Sequence, residues 1–166
     1  MDVLGERRMP EGKAMVIYNG IDLSRFEQNH SQDKELRRQW GIPDDAVVFG
    51  SAGRLHSIKR FDLLLDAAAK VIRKHSNVHV VIAGEGAMRQ ALEEQIKRLR
   101  IEDHVHLIGY QSDIVRFWHE VDVAVICSDS EGLPMALLEA CASGVACIAT
   151  RVGGIPEVLT EGSGIL

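Results

Sequence analysis

Glu131 and Glu139 stand with seven residues between them, in EGLPMALLEA, around the start of an apolar helical stretch. Glu139 lies inside PMALLEACASGVACIA, where nearly every neighbour is Ala, Leu, Val, Ile or Cys. An unpartnered carboxylate buried there would cost several kcal/mol, so the charge needs a partner. Taken alone, it also fits an ordinary ion pair or a solvent-facing position on the helix. Pro134 is pre-set for a first helical turn, so the stretch Gly132, Leu133, Pro134, Met135, Ala136 should present free backbone amides to an anion. Glu131 then guards the mouth of that site. Amides at the floor and a carboxylate on each side suit a molecule that carries both phosphate and hydroxyls, as a nucleotide-sugar does.

Arg54 and Lys59 sit five positions apart in SAGRLHSIKR, next to Gly53. A planar guanidinium grips two phosphate oxygens and an ammonium adds a mobile charge, and together they would neutralise a diphosphate. Each such bond is worth about 1.5 to 3 kcal/mol. The same cations would also fit ion pairs with Asp62 or Asp66; the position at the end of an expected strand favours phosphate. GEGAMR, residues Gly84 to Arg89, opens like a dinucleotide fingerprint but has Arg89 where the third glycine belongs. Gly109 and Tyr110 stand where an acidic residue is required about 20 positions later, so NAD is disfavoured. What remains is a tight strand-to-helix turn or a loop approaching a nucleotide. Gly12 and Lys13 lack the residues of a phosphate-binding Walker loop.

Metal chemistry has weak support. Asp129, Ser130 and Glu131 form an acidic cluster where a strand breaks into a Gly-Leu-Pro turn, and His104 and His106 share an expected strand face without a carboxylate or thiol at ligand spacing. No metal ligand is assigned. Cys127, Cys141 and Cys147 lie in apolar stretches without CxxC spacing and are expected to be reduced, buried, small hydrophobes.

These residues must be held by elements the pattern already outlines. MVIY at 15–18 reads as a short strand and Asp33 to Trp40 as a polar helix. From Ala46 onward, β-branched runs alternate with helical periodicity: AVVFGSA, a helix face of Phe61, Leu64, Leu65, Ala68 and Ile72, HVVIAG, a face of Met88, Leu92, Ile96 and Leu99, VHLIG, a helix near Ile114 to Glu120, VDVAVICS, the helix from Pro134, and ACIAT. This is the pattern of βαβ units, hence an α/β fold with a doubly wound parallel sheet covered on both faces. Ligands of such sheets bind beyond the carboxyl ends of the strands, so Gly53, Arg54, Lys59, Gly84, Gly109, Tyr110 and Glu131 should share one rim. Residues 1–14 read as a linker or the truncated end of a missing N-terminal domain. Residues 15–166 read as one domain truncated at its C-terminal end, since GSGIL has the look of a strand just begun.

The 166 residues are 46% hydrophobic and 26% charged, which places the chain among soluble globular proteins, able to bury about 70% of its unfolded surface. A net charge of −5 with dispersed Lys and Arg gives no nucleic-acid surface. No apolar run reaches the roughly 18 residues of a membrane span, and the first residues lack a signal-peptide core, so a cytoplasmic location is expected.

Four blocks of the sequence together resemble the retaining glycosyltransferases of family 4, with the GT-B architecture of two Rossmann-like domains. They are VIYNGIDLSRF (Val16 to Phe26), GSAGRLHSIKR (Gly50 to Arg60), SDSEGLPMALLEACASGVACIATRVGGIPEV (Ser128 to Val158) and the weaker VIAGEGAMRQALE with VHLIGY. The resemblance implies the C-terminal, donor-binding half of such an enzyme. Arg54 and Lys59 would hold the donor diphosphate, Glu139 would accept from ribose hydroxyls, and Glu131 would meet hydroxyls of the transferred sugar. Backbone amides after Gly132, with Leu133, Met135 and Ala136, would cradle the distal phosphate and sugar. The strand end from Leu107 through Gly109 to Tyr110 would line the base. Glu131, Arg54 and Lys59 are thereby the catalytic candidates, and the other named residues donor-binding ones.

The resemblance further implies a UDP-sugar as the first candidate donor and no metal or other cofactor. It implies retention of configuration and a glycan, lipid or small-molecule acceptor held by a missing N-terminal domain, as in polysaccharide biosynthesis. The isolated domain should bind donor with little turnover. Peripheral membrane association of the full-length protein stays open. Gly153, Gly154 and Glu157 match the family's GGIPE block, read as a structural turn and helix start first and as support for the site second. Pro134 stands where the family often has glycine, and Tyr18 where proline is frequent. Alternatives are a sugar-nucleotide epimerase of the same architecture and a non-catalytic nucleotide-binding module.

Overall fold

The computed structural model describes residues 15, 17–26, 34–160 and 162–166; the linker expected over residues 1–14 lies outside the described residues. Five strands form one parallel sheet: β1 (Val47–Ala52), β2 (Val78–Ala83), β3 (Val105–Gly109), β4 (Val123–Ile126) and β5 (Ala146–Ala149), in the order β3-β2-β1-β4-β5. The helices are α1 (Glu35–Gln39), α2 (Phe61–Ile72), α3 (Arg89–Leu99), α4 (Ile114–His119), α5 (Met135–Ala142) and α6 (Ile155–Val158). The doubly wound parallel sheet expected from the pattern is therefore the observed one.

Strand alternation sorts the apolar side chains onto two faces. Val48, Val81, Ala83 and Ala124 join Phe117 and Trp118 of α4 and Leu137 and Ala140 of α5 in one core. Val80 and Ile82 join the opposite core, with Phe61, Leu64, Leu65, Ala68 and Ile72 of α2 and Leu92 and Ile96 of α3. Those are the helix faces the periodicity marked. Strand β2 is buried at every position, as a strand with neighbours on both edges and helices on both faces must be. Beyond β5, Ile165 makes a parallel bridge to Ile148, so the beginning strand read in GSGIL is present as a single rung.

Two expectations about these elements are corrected. Met15, Ile17 and Tyr18 belong to no strand and are strongly exposed, while Val16 lies outside the described residues. A β-branched run becomes a strand only beside a neighbour with free amides and carbonyls; here the following Asn19 side chain instead donates to the Leu133 carbonyl at 3.1 Å. The polar helix expected around Asp33 to Trp40 is present as α1, capped by Lys34 and Trp40, with Asp33 outside the described residues. Of the cysteines, Cys127 and Cys147 are buried but Cys141 is exposed, because it falls on the outer side of the last turn of α5.

A polar clasp closes one side of the sheet. Arg37 of α1 is only 3% exposed. Its Nε donates to the Glu120 carbonyl at 2.8 Å, its Nη1 to the Ala46 carbonyl at 3.0 Å and its Nη2 to Asp122 Oδ1 at 3.0 Å. The Glu120 carboxylate, 3.6 Å from Arg37 Nε, also accepts from the Leu36 amide, and Asp122 Oδ2 accepts from the Val48 amide at 2.7 Å.

At the amino ends of β2 and β3, His79, His104 and His106 gather. His79 Nδ1 lies 3.2 Å from His106 Nε2, and the His79 ring centroid is 5.0 Å from that of His104. His104 lies in the turn before β3 rather than on the strand with His106, and its Nδ1 lies 3.0 Å from the Val78 carbonyl. Burial, with His79 and His104 nearby, pulls the His106 pKa down to about 4, and burial also lowers that of His79. Above an unfolded value near 6.5 these rings are neutral in both states. Between there and about 4, the unfolded chain takes up protons that the folded one refuses, so stability falls as the pH drops. Allowing for solvent screening of a partly exposed ring, the loss attributable to His106 is about 1–2 kcal/mol. Urea unfolding at about pH 7 and about pH 5 should show this drop in the native chain and a smaller one in His106→Leu; equal drops would refute it.

Candidate functional site

The loops at the carboxyl ends of β1, β2 and β3 are laced together by main-chain bonds. Gly53 N–H donates to the Ala83 carbonyl at 2.9 Å, Gly84 N–H to the Gly109 carbonyl at 2.8 Å, and Leu55 N–H to the Glu85 carbonyl at 2.9 Å. Gly84 must be glycine: its φ is +143°, and a Cβ there would lie 1.9 Å from the Gly53 carbonyl oxygen. Leu55, fully buried, plugs the loop into the core and leaves its neighbour Arg54 exposed above it. GEGAMR is thus a tight strand-to-helix turn, and Gly84 and Glu85 also face the cleft described next.

Above this rim opens a cleft of about 910 Å³. Gly53, Arg54, Lys59, Tyr110, Glu131, Leu133, Met135, Ala136 and Glu139 all line it. Gly109 and Gly132 do not. The Gly109 carbonyl is taken by Gly84, and the Gly132 carbonyl by the Gly154 amide at 2.6 Å.

The cations differ in their engagement. The Arg54 side chain makes no ion pair with a described residue; Asp62 is taken by Arg60, and Asp66 accepts from Gln95 at 2.8 Å. Lys59, at the end of a one-turn 3-10 helix (Ser57–Lys59), reaches Glu131 Oε1 at 2.5 Å. The buried Ser128 hydroxyl donates to the same oxygen at 2.6 Å, and the Ser128 carbonyl accepts from Thr150 Oγ1 at 2.7 Å. Asp129 turns away to Arg60, 2.9 Å from Nη1. The carboxylates of the acidic cluster therefore diverge, each onto its own cation. Among the described residues no group of three or more His, Cys, Asp or Glu is arranged to hold a metal ion.

Glu139 is half-buried on α5, and the Trp118 Nε1–H points at its Oε2 from 3.4 Å, a long bond that leaves lone pairs for the cleft. Pro134 is the N-cap of α5 rather than its first helical residue, with φ −71° and ψ 123°, and no side chain caps this helix start. The uncapped amides of Met135 and Ala136 thus begin at the cleft wall, where the partial positive charge of a helix terminus favours an anion.

Gly153 and Gly154 brace this wall. A Cβ on Gly153, whose φ is +53°, would lie 1.7 Å from the Glu131 carbonyl oxygen, and Gly154 donates to the Gly132 carbonyl. The GGIPE block thereby serves both as turn and as support for the Glu131 loop, with Glu157 beside Tyr18, whose phenol pKa it raises. Sequence reasoning missed Arg25, which lines the cleft from outside the Rossmann-like core, and the roles of Ser128 and Trp118. The spacing of Ser128 three residues before Glu131 was a readable signal for the first of these.

Residues 32–166 match the model of the family described as glycosyl transferases group 1. Among curated proteins, the chain is 34% identical over 154 residues to an uncharacterized glycosyltransferase of Methanocaldococcus jannaschii, covering 90% of this chain and 39% of that protein. The chain thus spans about two-fifths of the length of that relative. Among solved structures it resembles HepE of Anabaena in complex with UDP and glucose, with 28% identity and a TM-score of 0.83 over 92% of this chain and 42% of that one. It also resembles the C-terminal domain of a glycosyl transferase group 1 family protein from Francisella tularensis, with 26% identity and a TM-score of 0.75 over 89% of this chain and 80% of that one.

Proposed function

The chain belongs to the glycosyl transferases group 1 family, and from that premise we propose that it forms the sugar-nucleotide half of a retaining hexosyltransferase, with a UDP-sugar as donor. One observation carries this reading: two cations, two carboxylates and an uncapped helix start converge on a single cleft. The likeness to a protein solved with UDP and glucose supports the choice of donor.

In this reading Arg54 and Lys59 hold the diphosphate, and the Met135 and Ala136 amides add to the positive field around its distal phosphate. Glu139 accepts from the ribose hydroxyls, Glu131 meets the hydroxyls of the transferred sugar, and Tyr110 borders the base. As the bond from the anomeric carbon to the phosphate oxygen breaks, charge grows on the departing nucleoside diphosphate. Lys59, held by Glu131, and the start of α5 are in place to stabilise it, with the exposed Arg54 closing on it from the rim, which provides the electrostatic role otherwise given to a metal. The acceptor hydroxyl attacks from the face the phosphate leaves, and its proton passes to the departing phosphate oxygen, so the configuration is retained. Acceptor binding belongs to residues beyond this chain, which is expected to bind donor with little turnover.

Calorimetric titration with UDP-sugars, GDP-mannose and ADP-glucose tests the reading. A UDP-sugar should bind, and Arg54→Ala and Glu139→Ala should each weaken it by about 1–3 kcal/mol, roughly five- to 150-fold. Folded protein that binds none of them would overturn the proposal. Unchanged affinity in both variants would move the site elsewhere.

A further inference from the structure

We propose that Cys141 and Cys147 form a reversible dithiol–disulfide site, closed by exchange with a low-molecular-weight disulfide such as oxidised glutathione. Their sulfurs lie 3.8 Å apart. Cys141 sits on the last turn of α5, exposed to a reagent, and Cys147 lies on β5 at 2% exposure. The two elements are joined by a short turn containing Gly144, whose φ of +72° and open surroundings leave the connection unobstructed. A disulfide holds its sulfurs at about 2.05 Å, so the pair must close by less than about 2 Å, within reach of rotation about the two Cα–Cβ bonds.

The division of labour follows from placement. Contact with the Cys147 sulfur lowers the Cys141 pKa, which together with its exposure makes Cys141 the attacking thiolate of the pair. Cys141 attacks one sulfur of the small disulfide and expels one small thiolate, leaving a mixed disulfide on Cys141. Contact with the Cys141 sulfur and burial both raise the Cys147 pKa, and the first of these is lost once Cys141 is held in the mixed disulfide; Cys147 then gives up its proton to solvent in the slower step, attacks Cys141 Sγ and expels the second small thiolate. Two protein thiols are oxidised and one small disulfide is reduced to two thiols. Cys127 is an internal control: it is buried, its Sγ lies 3.1 Å from the Lys59 carbonyl and 3.2 Å from that of Arg60, and burial pushes its pKa up to about 11. The cross-link would pin the last turn of α5, the helix that carries Glu139, to the edge of the sheet. It stands independently of the identity of the donor.

Incubating the native chain with oxidised glutathione near neutral pH, followed by thiol titration, intact mass and peptide mapping, tests this. Two of the three thiols should disappear without a retained adduct. The map should show a Cys141–Cys147 link, and dithiothreitol should restore all thiols. Cys147→Ser should stop at a glutathionyl adduct on Cys141. Three titratable thiols after incubation, a stable adduct in the native chain, or a link that appears only in denaturant would each overturn the proposal.

Discussion

Arg37→Met is expected to cost the fold about 3–5 kcal/mol, because it leaves the buried Glu120 carboxylate without its cation, while the half-exposed Asp122 can turn to water. Glu120 keeps only the Leu36 amide, the Ala46 and Glu120 carbonyls lose their donors, and Asp122 is left with the Val48 amide alone. Methionine fills much of the volume, so the loss reports on polarity rather than on a cavity. Guanidinium denaturation of both proteins measures it. Adding Glu120→Gln to the Arg37→Met chain should recover part of the loss, since a neutral amide is cheaper to leave in that place. A cost below about 1 kcal/mol, or no recovery, would mean that solvent reaches the clasp.

The second large effect concerns the brace under the site. Gly153→Ala places a Cβ 1.7 Å from the Glu131 carbonyl oxygen and demands a left-handed backbone of a residue that resists it. The overlap is with main chain, so no side chain can swing aside; the Glu131–Gly132 loop must move. The expected cost is about 2–4 kcal/mol, combining backbone strain with overpacking. Because Glu131 moves with that loop and its contact with Lys59 is disturbed, donor affinity should fall by at least about tenfold as well. Gly162→Ala is the control, with φ +88° and open space around it. It should show the conformational penalty of about 1 kcal/mol without the loss of binding. If the two variants behave alike, the loop yields to the methyl group and the brace is not a brace.

Both effects rest on contacts that the amino-acid sequence hides, whereas the frame around them was open to reading. The strands and the inward faces of α2 and α3 follow from short-range periodicity, and Phe61, Leu64, Leu65, Ala68 and Ile72 are buried as that period requires. Arg54, Lys59, Glu131 and Glu139 could be brought together in advance because a parallel sheet gathers its strand ends at one rim. The separation of Arg37 from its partners is another matter. Nothing in a polar helical stretch tells which guanidinium turns inward when its partners stand 83 and 85 residues later. The contacts of Asn19 with Leu133, 114 residues on, and of Trp118 with Glu139, 21 residues on, likewise lie beyond short-range periodicity. Helix α5 defeats periodicity from the opposite direction: its residues are apolar nearly all round, so pattern alone does not reveal that Cys141 is the position facing water. Likewise Met15, Ile17 and Tyr18 have strand-forming chemistry but no strand to bond with.

Strand β2, closed off from water at every position, has a bearing on how the molecule breathes. Its amides are bonded beneath the cleft to β1 on one edge and β3 on the other, so they are expected to trade hydrogen for deuterium more slowly than those of the edge strands. The exposed residues above, such as Arg54 and Tyr110, face no such restraint. Opening that admits a visitor to the cavity is therefore expected to involve the exposed lip, with the buried strand beneath it keeping its place.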